Sequence, residues 1–223
     1  DTVAPLSTTQ VWTGSIFGAG AGRRLASVHW GCRRADRAGL ELHPAGGAWL
    51  YGPPGCGVSM LLRQAANLQI PEALPNGVIY LNGTLGPDDR NEILRDLYVA
   101  FHRSESPIAV DPESAKTFLS ERRALFVLDR LPLAHDQLVD LADTLPESAV
   151  LIAAEGPPYD ALADLPLEGL PREDAIRLCA TVAQLDATQP ESALRLGEIC
   201  AMLADLPLPL LLVGRLLRAN VAP

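Results

Sequence analysis

The sequence predicts an α/β fold in which a parallel sheet is covered by helices and followed by a small all-α helical bundle. Short apolar runs alternate with segments of helical periodicity over residues 23–170, which is typical of parallel strands buried on both faces. Over residues 171–223, helical segments follow one another without an apolar run between them. We therefore predict an α/β domain at 23–170 and a small helical domain at 171–223. Residues 1–22 are rich in Ser, Thr, Gly and Ala and are predicted to be linker or irregular.

The predicted strands are apolar runs bounded by Gly, Pro, Asn or Asp, the residues that favour turns and strand ends. They lie at residues 48–51, 77–81, 124–128, 149–154 and, more weakly, 166–167.

The predicted helices place apolar side chains three and four residues apart on one face. Asp88 and Asp89 suit the positive end of a helix dipole, and Pro112 suits a first helical turn. The helices are expected at residues 23–37, 59–68, 88–101, 112–122, 135–143, 172–184, 190–203 and 208–219.

Charge and composition narrow the classes of partner. The 223 residues are 48% hydrophobic and 20% charged, which is enough for a substantial core. With 27 acidic and 18 basic residues the net charge is −9, so nucleic-acid binding through this segment is not expected. Five arginines at 23–37 are interpreted as a solvated helix face. A patch for nucleic acid or for an acidic partner is the alternative.

Several features favour a cytoplasmic, bacterial protein. The four cysteines form no C-x-x-C pair and the four histidines are scattered, which argues against a zinc site and a disulfide framework. The most apolar stretch, 202–217, is interrupted by proline and charge, so no membrane span is expected. Residues 1–15 lack the features of a signal peptide. The strong preference for Arg over Lys is typical of a GC-rich bacterial genome. The chain begins at Asp1 without a methionine, and we expect it to be part of a longer protein or the product of processing.

The segment 52–59, Gly-Pro-Pro-Gly-Cys-Gly-Val-Ser, follows a predicted strand and opens a predicted helix. Glycines let a backbone curl so that several N–H groups point inward, and the helix N-terminus adds partial positive charge. The pattern predicts a phosphate-binding loop in which Ser59 binds Mg²⁺. The predicted nucleotide-binding residues here are Gly52, Gly55, Cys56, Gly57, Val58, Ser59 and Met60. A Gly/Pro-rich turn of this kind also occurs in α/β proteins that bind no phosphate.

The lysine of a phosphate loop is replaced by Val58. Its loss removes a charge-assisted hydrogen bond worth about 1.5–3 kcal/mol, or roughly ten- to hundredfold in affinity. We expect binding to be weakened and phosphoryl transfer to suffer more, because the charge matters most in the transition state.

Polar residues follow two of the predicted strands. Asp129 ends the run 124–128 and is predicted to hold Mg²⁺ through water, so the metal ligands are Ser59 and Asp129. The next residue, Arg130, stands where a hydrolysing enzyme has a second acid. Glu155 ends the fourth strand, where a carboxylate repels a triphosphate unless it is turned away or paired.

The chain resembles the NB-ARC and related STAND group of signal-transduction ATPases. The similarity covers residues 16–220 and consists of five pieces in matching order and spacing. These are the glycine loop, 121–129, 150–155, 167–178 and 205–208, the last similar to the family's Gly-Leu-Pro-Leu motif. The family's Gly-Arg motif has only a poor match at 16–19, which lacks the arginine.

The resemblance implies a P-loop NTPase-like sheet with a helical domain packed over the nucleotide. It implies that Pro207 touches the adenine, although Pro207 also suits a simple helix start. It further implies a switch in which ADP holds a closed form and ATP holds an open form that oligomerises.

Together these features predict a degenerate regulatory nucleotide-binding module with ADP or ATP and Mg²⁺ as cofactors, weak or absent hydrolysis, and no assigned catalytic residue. One alternative is a pseudo-NTPase scaffold that binds no nucleotide and acts through protein contacts or oligomerisation. Another is an active ATPase in which Arg63 or Arg130 replaces the lysine. The expected partners are nucleotide, other domains of a larger protein, protein partners and further copies of the chain.

Overall fold

The computed structural model describes residues 9–12, 45–66, 72–83, 89–102, 110–156 and 158–221, with only the backbone described at 9–12, 220 and 221. These parts contain six strands: β1 Thr9–Trp12, β2 Gly47–Tyr51, β3 Val78–Asn82, β4 Leu125–Asp129, β5 Ala149–Ala153 and β6 Ala163–Pro166. The same parts contain seven helices: α1 Val58–Ala66, α2 Arg90–Ala100, α3 Pro112–Ser120, α4 His135–Asp143, α5 Arg172–Ala183, α6 Pro190–Met202 and α7 Pro207–Val221.

The six strands form one sheet in the order β1-β3-β4-β5-β2-β6. All neighbours are parallel except β1, which runs antiparallel to β3. β2 leads into the glycine loop and lies between β5 and β6, so the carboxyl ends of β2, β4 and β5 meet at one end of the sheet. The predicted parallel sheet with flanking helices, followed by a helical bundle, is confirmed.

Both faces of the sheet are covered, which explains why its inner strands are continuous apolar runs. Every residue of β4 and β5 is buried. On one face Trp49 and Phe126 pack with α2, α3 and α4, and on the other Leu50 and Val127 pack with α1. The glycine loop and α1 are therefore fixed to the sheet by a hydrophobic layer.

A third hydrophobic cluster joins α5, α6 and α7, and its buried members include Leu178, Leu196 and Leu210. α5 and α7 approach closely at Gly214, where a Cβ atom would lie 2.8 Å from Cβ of Val182. The three helices thus have a core of their own, while the domain boundary near residue 171 stays a prediction.

The irregular structure predicted for residues 1–22 is wrong at Thr9–Trp12, which forms β1. Thr, Val and Trp favour strands, but the partner strand β3 lies far along the chain, so local composition does not reveal the pairing. The helix predicted at 23–37 and the motif at 16–19 lie outside the described residues.

The last predicted strand also differs, because β6 covers Ala163–Pro166 rather than 166–167. It is a largely exposed edge strand, so backbone pairing with β2 defines it instead of apolar burial. The other described elements agree with the predictions to within about two residues. No helix in the described parts of the chain is long and apolar enough to cross a membrane.

Candidate functional site

The glycine loop between β2 and α1 has a backbone that only glycine adopts easily. Gly55 and Gly57 have φ angles of 88° and 98°. The N–H of Cys56 donates to the Pro53 carbonyl at 3.0 Å, which closes a turn inside the loop. A Cβ atom on Gly52 would lie 2.2 Å from the Leu167 carbonyl oxygen, so this position admits no side chain. The curled backbone expected from the sequence is present.

The side chains of the loop are divided between core and surface. Cys56 and Val58 are buried in the cluster beneath α1, and Val58 is only 4% exposed. Met60, by contrast, is about half exposed. The position that carries lysine in a phosphate loop is here a packing position. Val58 can therefore offer a ligand mainly its backbone N–H group at the start of α1, whereas the N–H of Cys56 is used inside the loop.

The loop is joined to the end of β4 by a hydrogen bond. Ser59 Oγ donates to Asp129 Oδ1 at 2.9 Å, across 70 residues of sequence. Asp129 is the last residue of β4 and only 1% exposed. The two residues predicted to hold Mg²⁺ from the sequence are thus brought into contact.

Tyr80 on β3 completes the surroundings of Asp129 and was missed by the sequence analysis. Its hydroxyl donates to the second carboxylate oxygen, Oδ2. Burial, followed by the hydrogen bond and negative charge of Asp129, raises the pKa of Tyr80 well above its usual range, while Arg63 acts to lower it through a hydrogen bond and its positive charge. The only available signal was a tyrosine in the strand before β4, and nothing in the local sequence connects it to Asp129.

A cavity of about 310 Å³ opens beside the loop, at the carboxyl ends of β2, β4 and β5. Its lining includes two charged side chains, those of Arg130 and Glu155, and the imidazole ring of His135. Val58 also lines the cavity. The three residues that depart from the pattern of a hydrolysing phosphate loop, Val58, Arg130 and Glu155, therefore all lie at this one cavity. The remaining lining residues are Leu50, Tyr51, Gly52, Pro54, Leu131, Leu133, Leu138, Ala153 and Ala154.

Arg130 and Arg63, the two residues considered as replacements for the lysine, lie in different places. Arg130 has a left-handed backbone with φ of 55°, and its N–H donates to the Ala153 carbonyl at 2.9 Å. It lines the cavity, whereas Arg63 does not and instead interacts with Tyr80. Of the two, only Arg130 faces the space beside the loop.

The first turn of α7 lies directly against the glycine loop. The Leu208 N–H donates to the Gly55 carbonyl at 3.1 Å, and a Cβ atom on Gly55 would lie 3.2 Å from Cβ of Leu208. Pro207 lies near Gly57, where the corresponding distance to its Cγ is 3.9 Å. The structure therefore brings Pro207 to the loop, while its contact with an adenine stays a prediction.

A salt bridge fixes the turn before α7. Arg172 on α5 donates from Nε and Nη2 to the two carboxylate oxygens of Asp205, at 2.8 and 2.9 Å. Asp205 has a φ of 55°, in the left-handed region, at the position that is glycine in the family motif. Aspartate tolerates this conformation better than most residues, and here it adds a partner on α5.

The oxygen donors at the loop suit magnesium. In the described parts of the chain, no cluster of three His, Cys, Asp or Glu side chains is arranged to hold a metal ion. Mg²⁺ needs no such cage, because it retains several waters and binds through one or two carboxylates together with substrate phosphates. The hydroxyl of Ser59 and the carboxylate of Asp129 fit that mode of binding.

Curated relatives share only a part of the chain. No protein-family model matches it. It is 32% identical over 90 residues to an "AAA ATPase forming ring-shaped complexes" of Corynebacterium glutamicum strain R, and 31% identical over 90 residues to one of Corynebacterium efficiens. Each match covers 39% of this chain and 17% of the relative, so the chain spans less than a fifth of the relatives' length.

Two solved structures are similar to this chain at low sequence identity. One is a STAND protein with a tetratricopeptide repeat sensor from Pyrococcus horikoshii, with a TM-score of 0.48 and 13% sequence identity. The match covers 86% of this chain and 29% of that protein. The other is the ORC2 protein of Aeropyrum pernix in ADPNP-ADP complexes, with a TM-score of 0.45 and 14% sequence identity. The match covers 84% of this chain and 66% of that protein. At these values the likeness assigns no function.

The strand order, the glycine loop after β2 and the buried aspartate that ends β4 stand on this chain's own geometry. The fold is P-loop NTPase-like. Membership of the NB-ARC group in particular stays a prediction.

Proposed function

We propose that the chain is a regulatory nucleotide-binding module that takes up Mg²⁺ with ADP or ATP and hydrolyses ATP weakly or not at all. The observation that carries the proposal is the hydrogen bond between Ser59 Oγ and Asp129 Oδ1 at 2.9 Å. A buried carboxylate at this place has no packing role that an apolar residue would not serve better. Its contact with the serine at the helix start is what a magnesium–phosphate site requires.

The phosphates would be held by backbone groups. The loop curls at Gly55 and Gly57, and the first turn of α1 presents N–H groups without helical acceptors. Pro207 lies close to the loop and would contact the base. These contacts explain how a nucleotide binds without the missing lysine.

The metal would be held by Ser59 directly and by Asp129 through water. Bound Mg²⁺ neutralises phosphate charge. Ser59 donates its only proton to Asp129, so its lone pairs remain available for the cation.

Weak hydrolysis follows from the residues around the cavity. Arg130 replaces the second acid that orients an attacking water, and the Glu155 carboxylate faces the same cavity. Val58 supplies no charge for the transferred phosphoryl group. We therefore assign no catalytic residue.

Isothermal titration with Mg-ADP and Mg-ATP tests the proposal, together with an assay of phosphate release. We expect binding with a Kd below about 1 mM and no steady turnover. Ser59→Ala should weaken Mg²⁺-dependent binding about tenfold, whereas Ser192→Ala on α6 should leave it unchanged. Absence of binding by the unaltered chain at millimolar nucleotide would refute the proposal.

The second candidate is a scaffold that binds no nucleotide, and one contact favours it. Leu208 and Pro209 pack against the loop, and the Leu208 N–H already occupies the Gly55 carbonyl. Leu208, Leu212 and Leu216 are all more than half exposed on α7, which suits contact with another protein. The titration above separates the two candidates.

Assembly and location are part of the same proposal. The curated relatives are described as forming ring-shaped complexes. We extend that property to this chain as homo-oligomer formation within a longer cytoplasmic protein, with other domains and proteins as partners. Light scattering of the purified chain with and without Mg-ATP tests the self-association.

A further inference from the structure

We propose that Tyr80 is a positioning residue for the magnesium site. Its hydroxyl fixes the orientation of the Asp129 carboxylate, and that carboxylate in turn orients the Ser59 hydroxyl towards the cation. This inference rests on the proposed function. It adds a residue on a different strand, one that the glycine-loop motif does not contain.

The first step is the isolation of Asp129 from water. The residue is 1% exposed, and its two carboxylate oxygens have different protein donors, Ser59 on Oδ1 and Tyr80 on Oδ2. A buried carboxylate is stable only when its oxygens are hydrogen-bonded. Removing the Tyr80 hydroxyl leaves Oδ2 without that donor, and the carboxylate then turns towards another donor or admits water.

The second step links this orientation to Ser59. A serine hydroxyl has a single proton, and here it points to Asp129 Oδ1. The two oxygen lone pairs are therefore directed elsewhere and are free to bind a cation. When the carboxylate turns, Oδ1 moves away and the direction of the serine hydroxyl is no longer fixed. Tyr80 thus acts on the cation through two residues without touching it.

The third step is the orientation of Tyr80 itself. Arg63 on α1 is an exposed residue and interacts with the Tyr80 hydroxyl through a hydrogen bond. A guanidinium can only donate, so the phenol oxygen accepts from Arg63 and its own proton goes to Asp129. Arg63 therefore donates to Tyr80 and Tyr80 donates to Asp129 Oδ2, while Ser59 donates to Asp129 Oδ1, so donation converges on the carboxylate from both sides.

The test measures how much Mg²⁺ strengthens ADP binding by the full chain. ADP affinity is determined by isothermal titration in Mg²⁺ and in EDTA, for the unaltered chain and for Tyr80→Phe. We expect Tyr80→Phe to match the unaltered chain in EDTA, and its enhancement by Mg²⁺ to fall about tenfold. A general packing defect would instead lower both affinities together.

Two further variants complete the test. Tyr159→Phe removes a hydroxyl that donates to the exposed Asp143 at 2.5 Å, and it should leave the enhancement unchanged. Arg63→Gln changes an exposed residue, so it serves if Tyr80→Phe fails to fold, and it should lower the enhancement by a smaller factor. If Mg²⁺ strengthens ADP binding by Tyr80→Phe as much as in the unaltered chain, the positioning role of Tyr80 is overturned and the proposed function is not. The same result for Arg63→Gln has this meaning if Tyr80→Phe does not fold. No ADP binding by the unaltered chain overturns the proposed function as well.

Discussion

Val58 lies at the position of the lysine in a phosphate loop. Its apolar surroundings explain why an uncharged side chain fits at this position. The side chain packs in the cluster between α1 and the sheet and also lines the cavity beside the loop. A valine here stabilises the start of α1 by burial, and in the proposed function it supplies no charge to the nucleotide. The same position therefore links the stability of the loop to its affinity.

Replacing Val58 by Lys should raise ATP affinity about tenfold, because a longer side chain can reach from this position into the cavity with its charge. Stability should fall by about 1–3 kcal/mol, since a buried apolar contact is lost. Isothermal titration and urea unfolding measure the two effects. Val58→Met is the matched control, with similar length and no charge. Equal ATP affinities in the Lys and Met variants would contradict this interpretation.

At the scale of elements, the turn between α6 and α7 determines how the helical bundle meets the loop. Ala204 and Asp205 both have left-handed backbones, with φ of 50° and 55°. The Leu170 N–H donates to the Asp205 carbonyl at 2.9 Å, and Arg172 binds its carboxylate. This turn directs the first residues of α7 onto Gly55.

The free energy of unfolding of Asp205→Ala should be about 1 kcal/mol lower than that of Asp205→Gly, because alanine is disfavoured at positive φ and glycine is not. Both variants lose the salt bridge, which is partly exposed and contributes about 0.2–1 kcal/mol. Urea unfolding of the two variants compares them directly. If alanine proved as stable as glycine, the left-handed backbone at this turn would not be a constraint.

At the scale of the whole molecule, buried thiols of the helical bundle and a buried phenol of the α/β part all have raised pKa values, so they all make stability depend on alkaline pH. Burial raises the pKa of Cys179, and burial with the negative charges of Cys179 and Asp205 raises that of Cys200 to about 11. Tyr80 is shifted in the same direction. In each case the folded chain retains a proton that the unfolded chain releases at a lower pH.

Stability should therefore fall as the pH rises from about 8.5, where unfolded cysteines ionise, to about 11, where Cys200 ionises in the folded chain. Urea unfolding in the presence of a reductant follows the decline. The double variant Cys179→Ala, Cys200→Ala should be less stable at neutral pH but lose less on going to alkali. An equally steep decline in the double variant would show that the buried thiols are not responsible.

Much of this fold could be predicted because its signals are local. Helix α4, His135–Asp143, has the predicted bounds, and the glycine loop and Asp129 were found from their places beside apolar runs. β1 and the role of Tyr80 could not be found, because each depends on a partner far along the chain. The left-handed turn at Asp205 was hidden because aspartate replaces the glycine that signals it.

We propose that Ser59 and Asp129 form a magnesium–nucleotide site, and thermal unfolding with ADP tests this site most directly. ADP with Mg²⁺ should raise the unfolding midpoint of the unaltered chain more than ADP with EDTA, since a ligand that binds only the folded state stabilises it. In Asp129→Asn, which keeps the shape of the side chain, the contribution of Mg²⁺ should disappear. A midpoint that ADP leaves unchanged, or an equal Mg²⁺ contribution in Asp129→Asn, would contradict the account.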